Sequence, residues 1–240
     1  MKSNNVVRLS RRAMSSLSLL KTAAIVILLS GLAIYPDAAQ ATSAKSNAHV
    51  YLIRGVLNIF SLGMDEIAVK LQRQGISATV HNYLLWAPIA DDAAAKYKSG
   101  VKNIILVGHS SGATALPNIV ARLDQQGVPV KLVVGLDSMF RTSLAGRVGR
   151  YVNFYVAGGA GTRVERTKGF QGKLENVDVE NIAGVSHLTI DKSQLIQQKV
   201  IAAIDAAVLG DGGIRRGEKR QPLAPGGSPS GARAKPAAGY

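Results

Sequence analysis

From position 49 to position 208 the chain alternates short aliphatic runs with stretches whose apolar residues recur at helical spacing. Residues 49–53 (HVYLI) form a run closed by Arg54-Gly55, and predict a first strand. Between 63 and 73, Met64, Ile67, Ala68 and Leu71 fall on one helical face. Ser61 is placed to cap that helix and Gly75 to stop it. Residues 76–80 predict a second strand. Residues 88–97 predict a helix with proline near its start and Asp91 and Asp92 early in it. Ile104, Ile105, Leu106 and Val107 are the core of a strand buried on both faces, and a helical run follows from 113 to 125. Gly127-Val128-Pro129 breaks that helix. Residues 130–136, 151–156 and 177–182 predict three more strands. Residues 189–208 predict a closing helix with Ile190, Leu195, Ile196, Val200 and Ile204 on its apolar side. Strands alternating with helices predict an α/β fold. The expectation is a doubly wound, mostly parallel sheet of about six strands, with helices on both faces. Ligands of such sheets bind beyond the carboxyl ends of the strands. There is no internal repeat.

The two ends break this pattern. Arg8, Arg11, Arg12 and Lys21 precede an apolar run over 22–35, and Ala39-Gln40-Ala41 puts small residues where a signal peptidase reads. The run is shorter than the roughly 20 residues of a comfortable membrane span. Residues 1–41 therefore predict a signal peptide, with an uncleaved inner-membrane anchor as the alternative. Ser10-Arg11-Arg12 is a weak match to the twin-arginine route. The expected location is the bacterial periplasm or the exterior, with a mature start near Thr42. Residues 211–240 are Gly, Pro, Ala and basic residues without periodicity, and predict a disordered tail. The folded unit is expected over 42–210.

Charge changes the picture less than its total suggests. The net charge is +14, but more than half of that excess lies in the first 41 and last 30 residues. The folded part is therefore not expected to bind nucleic acid, whereas the N-terminal segment or the basic tail could touch an anionic membrane surface. There is no cysteine, so disulfides, thiolate catalysis and thiolate metal ligation are excluded.

The candidate chemistry begins at Gly108-His109-Ser110-Ser111-Gly112, which fits G-x-S-x-G. The pentapeptide alone is a common Gly/Ser turn. Preceded by a buried strand and followed by a helix, it is the turn that exposes a serine nucleophile. Ser110 would sit on the strained tip, with Gly108 and Gly112 allowing strand and helix to approach closely. The helix would point its N-terminus at the developing negative charge. A serine nucleophile needs a base, and the base needs a carboxylate. Among the four histidines, His49 lies in the first strand, His81 follows the second, and His109 is inside the turn, where it packs or caps. His187, between the last strand and the last helix, is placed as the base in the order Ser, acid, His. Asp137, directly after the strand 130–136, is the favoured acid. Glu165, several residues beyond the following strand, is the runner-up. The bland reading of Asp137 is a cap on a turn opened by Ser138 and Met139. The oxyanion donors would be the amide of Ser111 and one from the loop after the first strand, Val56 or Leu57.

GHSSG, the later Asp137 and the later His187 resemble the α/β-hydrolase superfamily over residues 48–208. An acid on the strand that follows the turn resembles the thioesterase-type members. The resemblance implies acyl-group hydrolysis without metal or organic cofactor. The early antiparallel strands of that superfamily are missing, because few residues separate Ala41 from His49. There is also no room for a lid between Asp137 and the strand at 151. The lipase-type H-G-G-G sequence is absent. An open cleft suits small or surface-presented esters. The expected function is an exported serine hydrolase of carboxylic esters or thioesters acting on a small or envelope-associated acyl substrate. The alternatives are an acyltransferase with the same triad and a non-enzymatic envelope-binding protein that docks through its tail.

Overall fold

The computed structural model describes residues 36–56 and 61–210. The predicted tail and all but the last six residues of the predicted export signal lie outside them. The elements run α1 (Pro36–Ser46), β1 (Ala48–Arg54), α2 (Gly63–Arg73), β2 (Ser77–Asn82), a 3-10 turn (Tyr83–Leu85), α3 (Trp86–Lys98), β3 (Asn103–His109), α4 (Ser111–Gln125), β4 (Val130–Leu136), β5 (Thr142–Tyr155), β6 (Val164–Asp178) and α5 (Gln194–Leu209). The strands form one six-stranded sheet in the order β2-β1-β3-β4-β5-β6, parallel at every pairing. The architecture is an α/β fold, a parallel sheet layered between helices. No helix among the described residues is long and apolar enough to cross a membrane. Ala41 and Thr42, which flank the predicted cleavage point, lie inside α1.

The inner strands bury both faces, which is why they read as unbroken aliphatic runs. Val50 and Leu52 of β1, with Ile105 and Val107 of β3, join the core under α2 and α5. Tyr51 and Ile53, with Ile104 and Leu106, join the core under α3 and α4. The period of two along each strand thus splits one sheet between two cores. All four apolar positions predicted for the helix at 63–73 are buried.

The alternation of strand and helix stops after β4. No helix connects β4 to β5 or β5 to β6. Each long strand instead folds back on itself. The first arm of β5 runs down beside α4, where Gly146 lies against Asp124 and Val120 and Arg147 pairs with Asp124 at 2.7 Å. The second arm returns in the sheet beside β4, with Leu132 opposite Arg150 and Leu136 opposite Phe154. In β6 the side chain of Asn176 bonds both the amide and the carbonyl of Val164, twelve residues earlier. Two extended arms thus take the place of crossover helices.

The strand expected at 177–182 is a correction. Its place at the sheet edge is taken by β6, which ends at Asp178. The sequence VERTKGFQGKLENVD has one buried residue at its start and is otherwise exposed or half-buried, so it lacks the apolar signal of a strand. Edge strands carry charge of this kind, which discourages pairing with other chains. The closing helix begins at Gln194, because the stretch from Gly184 to Ser193 is a set of turns that carries His187.

Candidate active site

The site is built where β1, β3 and β4 end. Ser110 follows β3 and has φ 58°, and Asp137 follows β4 with φ 53°; they are the two non-glycine residues with positive φ among the described residues. Such backbone costs on the order of 1–3 kcal/mol and persists only where the surroundings impose it. Here the surroundings are sheet bonds. The Ser110 amide donates to the Leu136 carbonyl at 2.9 Å, and the Asp137 amide to the Phe154 carbonyl at 2.8 Å. The turn is also tight on both sides. A Cβ on Gly108 would sit 2.6 Å from the Gly112 carbonyl, and a Cβ on Gly112 would clash with the Ile53 carbonyl. Strand, turn and helix can pass this closely only with glycine at those positions.

Three side chains form one hydrogen-bonded line. The Nε2 of His187 lies 3.1 Å from Ser110 Oγ, and its Nδ1 lies 2.7 Å from Asp137 Oδ2. Asp137 is fully buried, and its Oδ1 accepts the Val156 amide at 2.7 Å. The carboxylate therefore has a fixed orientation, with one oxygen on the backbone and the other on the imidazole. His187 Nδ1–H donates to Asp137, which leaves Nε2 as an acceptor for the Ser110 hydroxyl. Asp137 opens a loop rather than a helix, so it is not a cap. Glu165 is not brought to this line. It lies exposed on β6, 3.7 Å from Arg141.

The predicted oxyanion donors flank the serine. Ser111 opens α4, and the first bond of that helix runs from Thr114 N–H to the Ser110 carbonyl, so the Ser111 amide has no acceptor within the helix. Val56 lines the cavity that holds Ser110 and His187. Leu57, the other donor considered, lies outside the described residues. Gly55 packs against Ser110: a Cβ there would sit 2.8 Å from Ser110 Cβ.

The sequence does not reveal how the loops are tied together. Ser61, expected to cap α2, makes no cap bond. Its hydroxyl accepts the Gly55 amide at 3.0 Å and lies 2.8 Å from Nδ1 of the buried His109. Nε2 of His109 lies 2.9 Å from the carbonyl oxygen of His187. A carbonyl only accepts, so His109 carries its proton on Nε2, and Nδ1 accepts from Ser61. Gly55, Ser61, His109 and the backbone of His187 are thus one chain of bonds joining the loop after β1 to the loop that carries His187. Burial holds the His109 pKa below the usual imidazole value, which keeps it neutral and the pattern intact. The cap on α2 comes from Asp191, 128 residues away, whose Oδ2 accepts the Gly63 amide at 2.9 Å. Thr114 Oγ1 meets Ser138 Oγ at 2.9 Å and so links α4 to the loop after β4. Hydroxyl and carboxylate pairings between distant segments leave no spacing pattern in a sequence. The one available signal was a histidine inside the serine turn.

Among the described residues no group of three His, Asp or Glu side chains converges in a way that could hold a metal ion.

No family model matches the chain, and no curated protein matches it. Among solved structures it is similar to a protein described as a hydrolase of the alpha/beta superfamily from Xanthomonas campestris pv. campestris, at 12% identity and a TM-score of 0.42, over 66% of this chain and 99% of that one. It is also similar to an acetylxylan esterase, at 17% identity and a TM-score of 0.43, over 69% of this chain and 99% of that one.

Proposed function

We propose that the protein is a serine hydrolase of carboxylic esters or thioesters. The observation that carries this reading is the unbroken line Asp137–His187–Ser110 with positive φ at both of its ends. A serine that merely turned the chain would have no reason for a base at 3.1 Å, nor that base for a buried carboxylate.

The chemistry follows from the geometry. Ser110 Oγ attacks the acyl carbon as His187 Nε2 takes its proton. The carbonyl π-bond opens and its electron pair passes to the oxygen, where the amides of Ser111 and Val56 receive it. The imidazolium formed is stabilised by the Asp137 carboxylate through Nδ1–H. Its Nε2 proton then goes to the leaving oxygen or sulfur as the bond to carbon breaks. Water, deprotonated by the same nitrogen, attacks the acyl-enzyme. The acid is released and Ser110 regains its proton. An acceptor alcohol in place of water would make the same site an acyltransferase. We also propose that the protein works outside the inner membrane, on the strength of residues 1–41.

A fluorophosphonate probe is expected to label Ser110 in the full chain and to spare Ser110→Ala. A panel of p-nitrophenyl esters and acyl thioesters, read for hydrolysis with and without added alcohols, assigns the leaving group and the acceptor. Absence of both labelling and turnover sinks the reading.

A further inference from the structure

We propose that the groove running from Ser111 along α4 is the acyl site, and that it takes an uncharged aliphatic or aromatic acyl group while the leaving group lies on the His187 side. This rests on the acyl-hydrolase reading and specifies the substrate it acts on. Two cavities meet at Val56. One, of about 240 Å³, holds Ser110 and His187. The other, of about 400 Å³, touches Val56 and Ser111 and is walled by Trp86, Leu84, Ala115 and Phe140. The second is within the size of small-ligand sites, at their lower end.

The stereochemistry of acyl transfer assigns the two. The tetrahedral carbon carries Ser110 Oγ, an oxyanion, the leaving atom and the acyl substituent. The oxyanion must face the amides of Ser111 and Val56. The leaving atom must receive a proton from His187 Nε2, so it occupies the smaller cavity. The acyl substituent takes the remaining direction, into the groove that meets both oxyanion residues but not His187.

The lining gives the chemistry. No Asp, Glu, Lys or Arg lines the groove among the described residues. Ser111, Thr114, Asn118 and Tyr83 offer neutral polar groups, but a charged acyl group would leave water without an opposite charge to meet it. Leu84 and Phe140 are instead 69% and 62% exposed, and an apolar substituent would cover them. Both are held in place. The Leu84 amide donates to Asn82 Oδ1 at 2.9 Å, and the Phe140 carbonyl accepts from the hydroxyls of Ser138 at 3.0 Å and Thr162 at 2.9 Å. The backbone of both walls is thus fixed before substrate arrives, and among the described residues the groove is open.

The test uses the full chain and two series. In p-nitrophenyl acetate, butyrate, hexanoate and octanoate, kcat/KM is expected to rise about two- to fourfold per methylene covered, with benzoate also accepted and a succinyl half-ester poor. In alkyl acetates, lengthening the alcohol is expected to give less. Phe140→Asp and Leu84→Asp, both at exposed positions, are expected to lower the octanoate-to-acetate ratio at least about tenfold. Alkylphosphonate p-nitrophenyl esters of the same lengths, read as the rate of Ser110 modification, give the preference without relying on turnover. A flat acyl profile, a chain-length effect carried by the alcohol, or a ratio unmoved in both variants overturns the assignment while Ser110 still reacts. If Ser110 reacts with no phosphonate and no ester is hydrolysed, the hydrolase reading falls and this assignment falls with it.

Discussion

Two histidine clusters in this molecule make different use of the same side chain. His187 contacts a carboxylate through one nitrogen and a serine through the other, at the mouth of a cavity. His49, in β1, packs against the Tyr51 ring and among the described residues hydrogen-bonds only hydroxyls: Ser77 Oγ lies 2.8 Å from Nδ1 and Thr79 Oγ1 lies 3.0 Å from Nε2. Thr79 Oγ1 also meets His81 at 2.8 Å. Among the described residues neither ring of this second cluster hydrogen-bonds a carboxylate. Burial, and secondarily Lys96, holds His49 down to about pH 4, so it stays neutral at any ordinary pH. A histidine becomes a base when a fixed anion holds its tautomer and stabilises its proton, and when its other nitrogen reaches a cleft. Hydroxyl partners supply neither charge nor a unique tautomer.

The sharpest way to break this contrast is Asp137→Asn. The Val156 amide needs an acceptor, so the new side chain would turn its oxygen there and its NH2 toward His187. His187 Nδ1 would then have to accept, Nε2 would carry the proton, and Ser110 would lose its base. The expected loss in kcat is about 10⁴, the scale measured for this change in a serine protease triad, with circular dichroism and Tm little altered. A loss under about tenfold would leave the imidazole without need of its anion.

Next in size is the bridge through His109. His109→Leu removes the bonds to Ser61 and to the His187 carbonyl and leaves the Ser61 hydroxyl without that partner. A kcat drop of roughly 10- to 100-fold is expected, since one buried bonded pair is worth about 1–3 kcal/mol. Ser61→Ala should cost less, and the double variant little more than His109→Leu alone, because both residues serve one chain of bonds. Additive losses would show that Ser61 and His109 act separately.

How much of this was legible follows from where the apolar signal was strong. β1, β3 and β4, with the helices on either face, are aliphatic runs and amphipathic stretches, and the serine turn sits among them. The pairing of Asp137 with His187 was readable because each falls in the loop after a strand. The returning arm of β5 was marked by the run at 151–156, but nothing marked its first arm or most of β6. Glycines and charges there look like loop, since an edge ribbon keeps its polar groups in water. Ser61 was assigned to the helix beside it because a cap is a local pattern, whereas Asp191 reaches α2 only once the chain is folded.

A smaller effect tests the neutral cluster. The unfolded chain binds a proton at His49 near pH 6.5, while the folded chain resists it until about pH 4. Between those values the unfolded state holds more protons, so stability rises with pH and is lost on acidification through that window. Asp92 and Lys96 of α3 and His81 of β2 also face this site. His49→Gln should flatten the rise of Tm between pH 4 and 6.5, removing on the order of 3 kcal/mol at most of the stability gained across that window. An unchanged slope would assign the acid sensitivity to other groups.

The smallest effect expected is the most useful control on the first. Glu165 follows the strand after the one that carries Asp137, and is the other carboxylate that the order of the chain allows as partner of His187. In the fold it pairs with Arg141 at 3.7 Å, with both side chains well exposed. An exposed pair of this kind contributes about 0–1 kcal/mol. Glu165→Gln should therefore leave kcat within about twofold and Tm within about four degrees. The comparison depends on this null. If the loss from Asp137→Asn came from any lowered negative charge near the sheet edge, Glu165→Gln would reproduce part of it, and the part would shrink with added salt. If only Asp137→Asn loses activity, and does so at every ionic strength, the effect belongs to one buried oxygen held on one imidazole nitrogen. That contact is what His49 lacks.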